Sequence, residues 1–186
     1  MLKFTVLALA FSAGSASAIT IKFVNHCTYT VWPAVGAAPN GKPNPAIAYG
    51  AKLAPGGTSS YGVSDTAIGI RSWGRTGCDS NGANCATGHC NGGLKCTDGG
   101  ITSGVILGEY GYGNFGSCCG GERTSWDLSI VSASLNIPTK LASSDGQSVQ
   151  CTKAPCDASQ VYTYATDYAA DRNSALGQTY THTFCP

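Results

Sequence analysis

The sequence predicts an all-β fold: a flattened, antiparallel two-sheet β-sandwich of about ten or eleven short strands, with little helix. Three observations carry that reading. Short runs of β-branched and aromatic residues alternate with polar ones and are separated by Gly, Pro and Asn clusters. Glycine supplies 25 residues and only 11% of side chains are charged, a composition rich in turns and poor in long helices. Ten cysteines, an even number, follow a leader of the kind that directs export, which reads as five disulfides.

The elements are expected as follows. Residues 1–18 have the pattern of a signal peptide. Lys3 is the positive end, residues 4–11 (FTVLALAF) are an apolar stretch too short to span a bilayer, and Ala16, Ser17 and Ala18 are small residues suited to cleavage. Residues 19–186 then form one domain by size, with no later run long and apolar enough for a membrane span. Residues 19–25 (ITIKFVN) alternate as a strand does, and residues 28–33 (TYTVWP) repeat the pattern after Cys27. Residues 37–45 are rich in Pro, Gly and Asn and read as loop. Further strands are expected within 59–63, 67–73, 105–110, 125–132 and 179–184, and a helical turn or two within 158–170. Residues 78–96 have almost no apolar content, so disulfides are expected to supply their order.

Charge excludes whole classes of partner. With Lys3 set aside in the leader, ten basic side chains balance ten acidic ones. A neutral chain has no long-range pull on phosphate backbones or anionic lipid, so no nucleic-acid partner is expected. Cysteines 78, 85, 90 and 96 are five to seven residues apart and lack C-x-x-C spacing, and His26, His89 and His182 lack ligand spacing. No metal and no cofactor are therefore expected. No G-x-S-x-G elbow, P-loop or dinucleotide fingerprint occurs.

Seven stretches in order carry a resemblance: FVNHCTYTVWPA (23–34), LAPGGTSSYGV (53–63), IRSWGRTGC (70–78), GANCATGHCNGGLKC (82–96), SWDLSIVSASLNIP (125–138), VYTYATD (161–167) and TFCP (183–186). In these the chain resembles thaumatin-like proteins, and within them the small ten-cysteine type. The resemblance implies the pairs Cys27–Cys185, Cys78–Cys85 and Cys90–Cys96. It leaves Cys118, Cys119, Cys151 and Cys156 with three connectivities. Pairing 118–119 together with 151–156 is disfavoured, because a bridge between sequence neighbours is strained. Residues 140–157 are nearly all that stands for the family's second domain, expected as a short disulfide-rich appendage. His89 replaces the Asp usual in the signature region.

Many family members carry an acidic cleft of one Arg, one Glu and three Asp, thought to bind β-1,3-glucan and in some members to cleave it. Position by position this implies Arg71 (with Arg75 a second choice), Glu109 and Asp127. Ser132 stands where another Asp belongs, and the last Asp has no counterpart. As a catalytic pair, Glu109 is the expected general acid and Asp127 the residue assisting water. The blander alternative is a structural ion-pair cluster of the same three side chains. Tyr110, Tyr112 and Phe115 are candidate stacking platforms for sugar rings, or else hairpin aromatics packing on the core edge. Trp32, Trp73 and Trp126 are expected in the core. The resemblance thus implies a secreted, monomeric protein of the defence or wall-modifying kind that binds β-1,3-glucan or a related polysaccharide. Two alternatives stay open: a weak endo-β-1,3-glucanase, and an inhibitor whose partner is an extracellular glycosidase.

Overall fold

The computed structural model describes residues 18–186. Of the expected leader only Ala18 falls among them, and it opens the first strand. Eleven strands follow: β1 (Ala18–Asn25), β2 (Trp32–Ala37), β3 (Ala48–Gly50), β4 (Thr58–Ser64), β5 (Ile70–Arg75), β6 (Leu107–Asn114), β7 (Glu122–Ser129), β8 (Thr139–Ser143), β9 (Ser148–Cys151), β10 (Arg172–Ala175) and β11 (Thr179–Phe184). They form a five-stranded sheet, β4-β1-β11-β8-β9, and a six-stranded sheet, β10-β7-β6-β5-β2-β3. Among the described residues there is no α-helix; within 158–170 only Tyr168–Ala170 makes a single 3₁₀ turn. No helix among them is long and apolar enough to cross a membrane.

Alternation builds the core. Ile19, Ile21 and Phe23 of β1 point inward, meeting Leu141, Tyr180 and Phe184 of their own sheet and Val35, Ile70, Tyr110, Trp126 and Leu128 of the other. Some of the polar groups inside are paired with one another. Ser72 Oγ lies 2.9 Å from both Tyr110 Oη and His182 Nδ1, and Trp126 Nε1 donates to Ser174 Oγ at 2.9 Å. Burial holds His182 down at about 3, so it is neutral in the fold.

The structure corrects several expectations. The sandwich is not wholly antiparallel: β1 and β11 run parallel. No hairpin joins them, since they are the first and last strands and the rest of the chain lies between. Residues 28–31 do not continue a strand. Asn25 Nδ2 donates to the carbonyls of Tyr29, Leu53 and Ala54, which bends the chain before β2 begins at Trp32. Residues 140–157 are largely not an appendage, because β8 and β9 are hydrogen-bonded strands that bring Leu141 and Val149 into the core. Each contributes so few large apolar side chains that its alternation is faint in sequence.

There are four disulfides among the described residues and not five. Cys27–Cys185, Cys78–Cys85 and Cys90–Cys96 form as the resemblance implies, and Cys151 pairs with Cys156. Cys151 ends β9 and Cys156 follows it around a short turn, so they meet locally. Cys118 and Cys119 lie at the β6–β7 tip of the other sheet and are free and exposed.

The second face of the six-stranded sheet is also covered. Ala34, Trp73, Cys96 and Val105 form a separate apolar cluster there, which is why every residue of β2 is buried. Disulfides alone do not order the loop over this face. Arg75, wholly buried, donates through Nε to Trp32 O, through Nη1 to Gly82 O and Gly93 O, and through Nη2 to Leu94 O, at 2.8–3.0 Å. The second-choice cleft arginine is thus the anchor of the loop and no part of the cleft.

Candidate functional site

Strand register places the charged residues. Arg71 on β5 faces Glu109 on β6, and Glu109 faces Asp127 on β7, so the three form one row on the outer face of the six-stranded sheet. Arg71 Nε donates to Glu109 Oε1 at 3.1 Å in the one ion pair found among the described residues. The row floors a cleft of about 730 Å³. One wall is the stretch from Gly100 to Val105; the other carries Tyr162, Ala165, Tyr168 and Asp171. A second depression of about 280 Å³, lined by Ile68 and Tyr112, shares Glu109, Ser125 and Asp127 with the first. The carboxylates therefore sit on the saddle of a longer groove.

Each wall is organised by one buried aspartate. Asp98 accepts from the backbone N–H groups of Asn91 and Gly100 and from Thr102 Oγ1, at 2.6–3.0 Å. Asp167 accepts from Thr163 N at 3.3 Å and Thr163 Oγ1 at 3.0 Å. Tyr162 N donates to Leu128 O, and Ile130 N to Tyr162 O, which fastens the second wall to the end of β7. Such Asx-type bonds let a loop keep its shape without regular structure.

Asp127 has the most perturbed acid. Burial first, then the neighbouring charges of Glu109 and Asp171, push it up to about 8. Its Oδ1 is buried without a hydrogen-bond partner, which fits a carboxyl kept neutral. Asp171 is also raised, by burial, against the lowering effect of Ser125 Oγ donating to its Oδ1 at 2.7 Å. Tyr162 is pushed up to about 12, by burial and then by Asp171 and Asp127. The proton therefore sits on Asp127 while Glu109 is committed to Arg71, an order opposite to the one expected for general acid and helper.

Asp127 makes stability depend on pH. Its acid is raised in the fold, so the stability it contributes is full below about 4 and is lost as pH climbs through 8. Asp127→Asn is expected to flatten that loss. Solvent in the open cleft weakens the effect, leaving the variant about 1–3 kcal/mol more stable than its parent above pH 8. Thermal unfolding of both proteins from pH 4 to 9 checks this, and parallel curves would show an ionised Asp127 throughout.

The structure brings Arg71, Glu109 and Asp127 together but removes two of the three proposed aromatic platforms from them. Tyr110 is only 3% exposed. The pleat forces this, because a strand that points Glu109 outward points Tyr110 inward, where Ser72 takes its hydroxyl. Tyr112 shares that parity and donates its hydroxyl to Glu122 at 2.7 Å, beside the smaller depression. Phe115 is 38% exposed but sits past the strand end, beside the hairpin tip. Trp32, Trp73 and Trp126 are buried as expected. Ser132, in place of an acid, does line the cleft. Sequence reasoning missed Asp171, Tyr162 and Tyr168. Tyr168 is 74% exposed at the cleft wall, and its position after the VYTYATD stretch was the one available signal.

The family model and the sequence relatives point to one family. The family model described as "Thaumatin family" matches residues 25–160. A "Thaumatin-like pathogenesis-related protein 4" from Avena sativa is 36% identical over 183 residues, covering 97% of this chain and 95% of the relative. A "Thaumatin-like protein" from Oryza sativa subsp. japonica is 33% identical over 184 residues, covering 97% and 93%. Among solved structures, the thaumatin-like xylanase inhibitor TLXI superposes with a TM-score of 0.61 at 27% identity, covering 89% of this chain and 99% of the inhibitor. The protein elicitor MoHrip2 from Magnaporthe oryzae shares the fold, with a TM-score of 0.53 at 16% identity.

Proposed function

Because the chain belongs to the thaumatin family, with pathogenesis-related relatives of the defence type, we propose that it is a secreted, monomeric defence protein whose cleft holds a neutral β-1,3-glucan or a related polysaccharide. The observation that carries this is the cleft floor: an Arg71–Glu109 ion pair beside the buried, unpartnered carboxyl of Asp127, within a groove of about 730 Å³. A polyol needs donors and acceptors in alternation and no net charge. Arg71 donates, Glu109 accepts, and a neutral carboxyl at Asp127 does both. Tyr168 offers an exposed ring at the wall on which the C–H face of a sugar can lie.

Binding is favoured over hydrolysis by the partner that one of the two acids already has. Glu109 and Asp127 are cross-strand partners, which puts their Cβ atoms about 4.5–5.5 Å apart on one floor. Hydrolysis needs both carboxyls free to flank the bond to be cut. The ion pair with Arg71 further withdraws Glu109 from proton transfer. A second reading, inhibition of an extracellular glycosidase, is favoured by the likeness to a xylanase inhibitor over 99% of that protein's length.

The chain from Ile19 onward, incubated with insoluble β-1,3-glucan, is expected to co-sediment without releasing reducing sugar. Tyr168→Ala should weaken that binding about five- to tenfold by removing the stacking face. Release of reducing ends would establish the enzyme. Absence of glucan affinity together with inhibition of an added xylanase would establish the inhibitor.

A further inference from the structure

Cys118 and Cys119 serve neither the core nor the cleft. The other eight cysteines are paired among themselves, so these two have no protein partner except each other. Both are exposed, in the three-residue 3₁₀ turn Ser117–Cys119 that caps the β6–β7 hairpin. The neighbouring Cys118 side chain, first, and then burial raise the Cys119 thiol. Cys118 Sγ also donates to Phe115 O at 3.5 Å.

We propose that Cys118 and Cys119 form a thiol–disulfide exchange site for a small-molecule disulfide, closing reversibly to a vicinal disulfide. The chemistry needs two steps. One cysteine, as thiolate, attacks a sulfur of oxidised glutathione; a protein–glutathione disulfide forms, the glutathione S–S bond breaks, and glutathione thiolate leaves and takes a proton. The adjacent cysteine then loses its proton and attacks the bonded protein sulfur. The vicinal S–S bond forms and the second glutathione leaves. The protein gives up two electrons and two protons, and oxidised glutathione receives them as two thiols.

The backbone around the pair suits this closure. Gly116 (φ 72°), Gly120 (φ 93°) and Gly121 (φ 69°) flank it in left-handed conformations that tolerate rearrangement. The base of the turn, at Gly116 and Gly121 themselves, is pinned by Phe115 N donating to Gly121 O and Gly121 N to Gly116 O, each at 2.9 Å. The tip can reshape while β6 and β7 stay zipped. Consecutive Cα atoms are about 3.8 Å apart across a trans peptide, short of the usual 4.4 Å minimum for a bridge. A bond made there is strained and readily reduced, which makes the site reversible.

The experiment treats the folded protein with oxidised glutathione and measures intact mass and peptide linkage. The wild type is expected to end lighter by two hydrogen atoms, linked 118–119, monomeric, and restored by mild reductant. Cys119→Ser and Cys118→Ser, each lacking a resolving thiol, are expected to stall carrying one glutathione. A wild type that keeps glutathione, links into dimers, exchanges with Cys151–Cys156 or does not react overturns the proposal.

Discussion

Replacing Cys27 and Cys185 together by alanine is expected to lower the free energy of unfolding by about 5 kcal/mol. The bridge spans 158 residues and closes nearly the whole domain into one loop. Its main effect is on the unfolded chain, whose freedom falls with the logarithm of the loop it closes. In the fold it fastens the ends of β1 and β11, the parallel pair that no hairpin joins. Removing Cys151–Cys156, which spans five residues, is expected to cost less than half as much, about 2 kcal/mol by the same relation. Domains of this size are stable by only about 5–15 kcal/mol, so the first variant approaches the edge of folding. Denaturant unfolding of both double variants checks the ratio. Equal costs would mean that native-state contacts, and not loop closure, set the contribution of each bridge.

The second large effect belongs to Arg75. Arg75→Met is expected to cost about 3–5 kcal/mol, because it keeps the volume and deletes a buried charge on which four carbonyls depend. Burial lowers Arg75 to about 10, partly offset by Asp98, so it remains a cation at neutral pH. Arg75→Lys is not expected to rescue, since one ammonium cannot reproduce a planar fork reaching Trp32 on one side and Gly82, Gly93 and Leu94 on the other. The readouts are chemical denaturation and limited proteolysis. Cleavage should appear first within residues 78–96. A variant with unchanged stability and an uncut loop would return the ordering of that region to its two disulfides alone.

Strand pattern is legible in the sequence where one face is buried and is lost where both are. The alternation of ITIKFVN and THTF, one residue in and one out, is legible without a structure. The strand WPAVGA is not, because a second apolar cluster covers its outer face and erases the contrast. Glu109 and Asp127 were found through resemblance, but their pairing is a matter of register and became visible only in three dimensions. Tyr110 is the instructive error. Once Glu109 is assigned to the cleft, period two alone sends Tyr110 into the core, so it was decidable from sequence. Asp171 was not, because it arrives on an irregular loop whose course depends on Asp167 and on its attachment to β7. Arg75 is the second choice that the resemblance offers for the cleft; the loop folded over it decides its role.

The most direct test of the cleft as a polysaccharide site is a titration of the isotope-labelled domain with a soluble β-1,3-linked oligosaccharide, followed by amide chemical shifts. The account expects shifts concentrated at Gly100–Val105, Glu109, Asp127 and the loop from Tyr162 to Asp171, and their loss in Glu109→Gln, which unmakes the ion pair with Arg71. Shifts confined to other surfaces, or none at millimolar sugar, would contradict it.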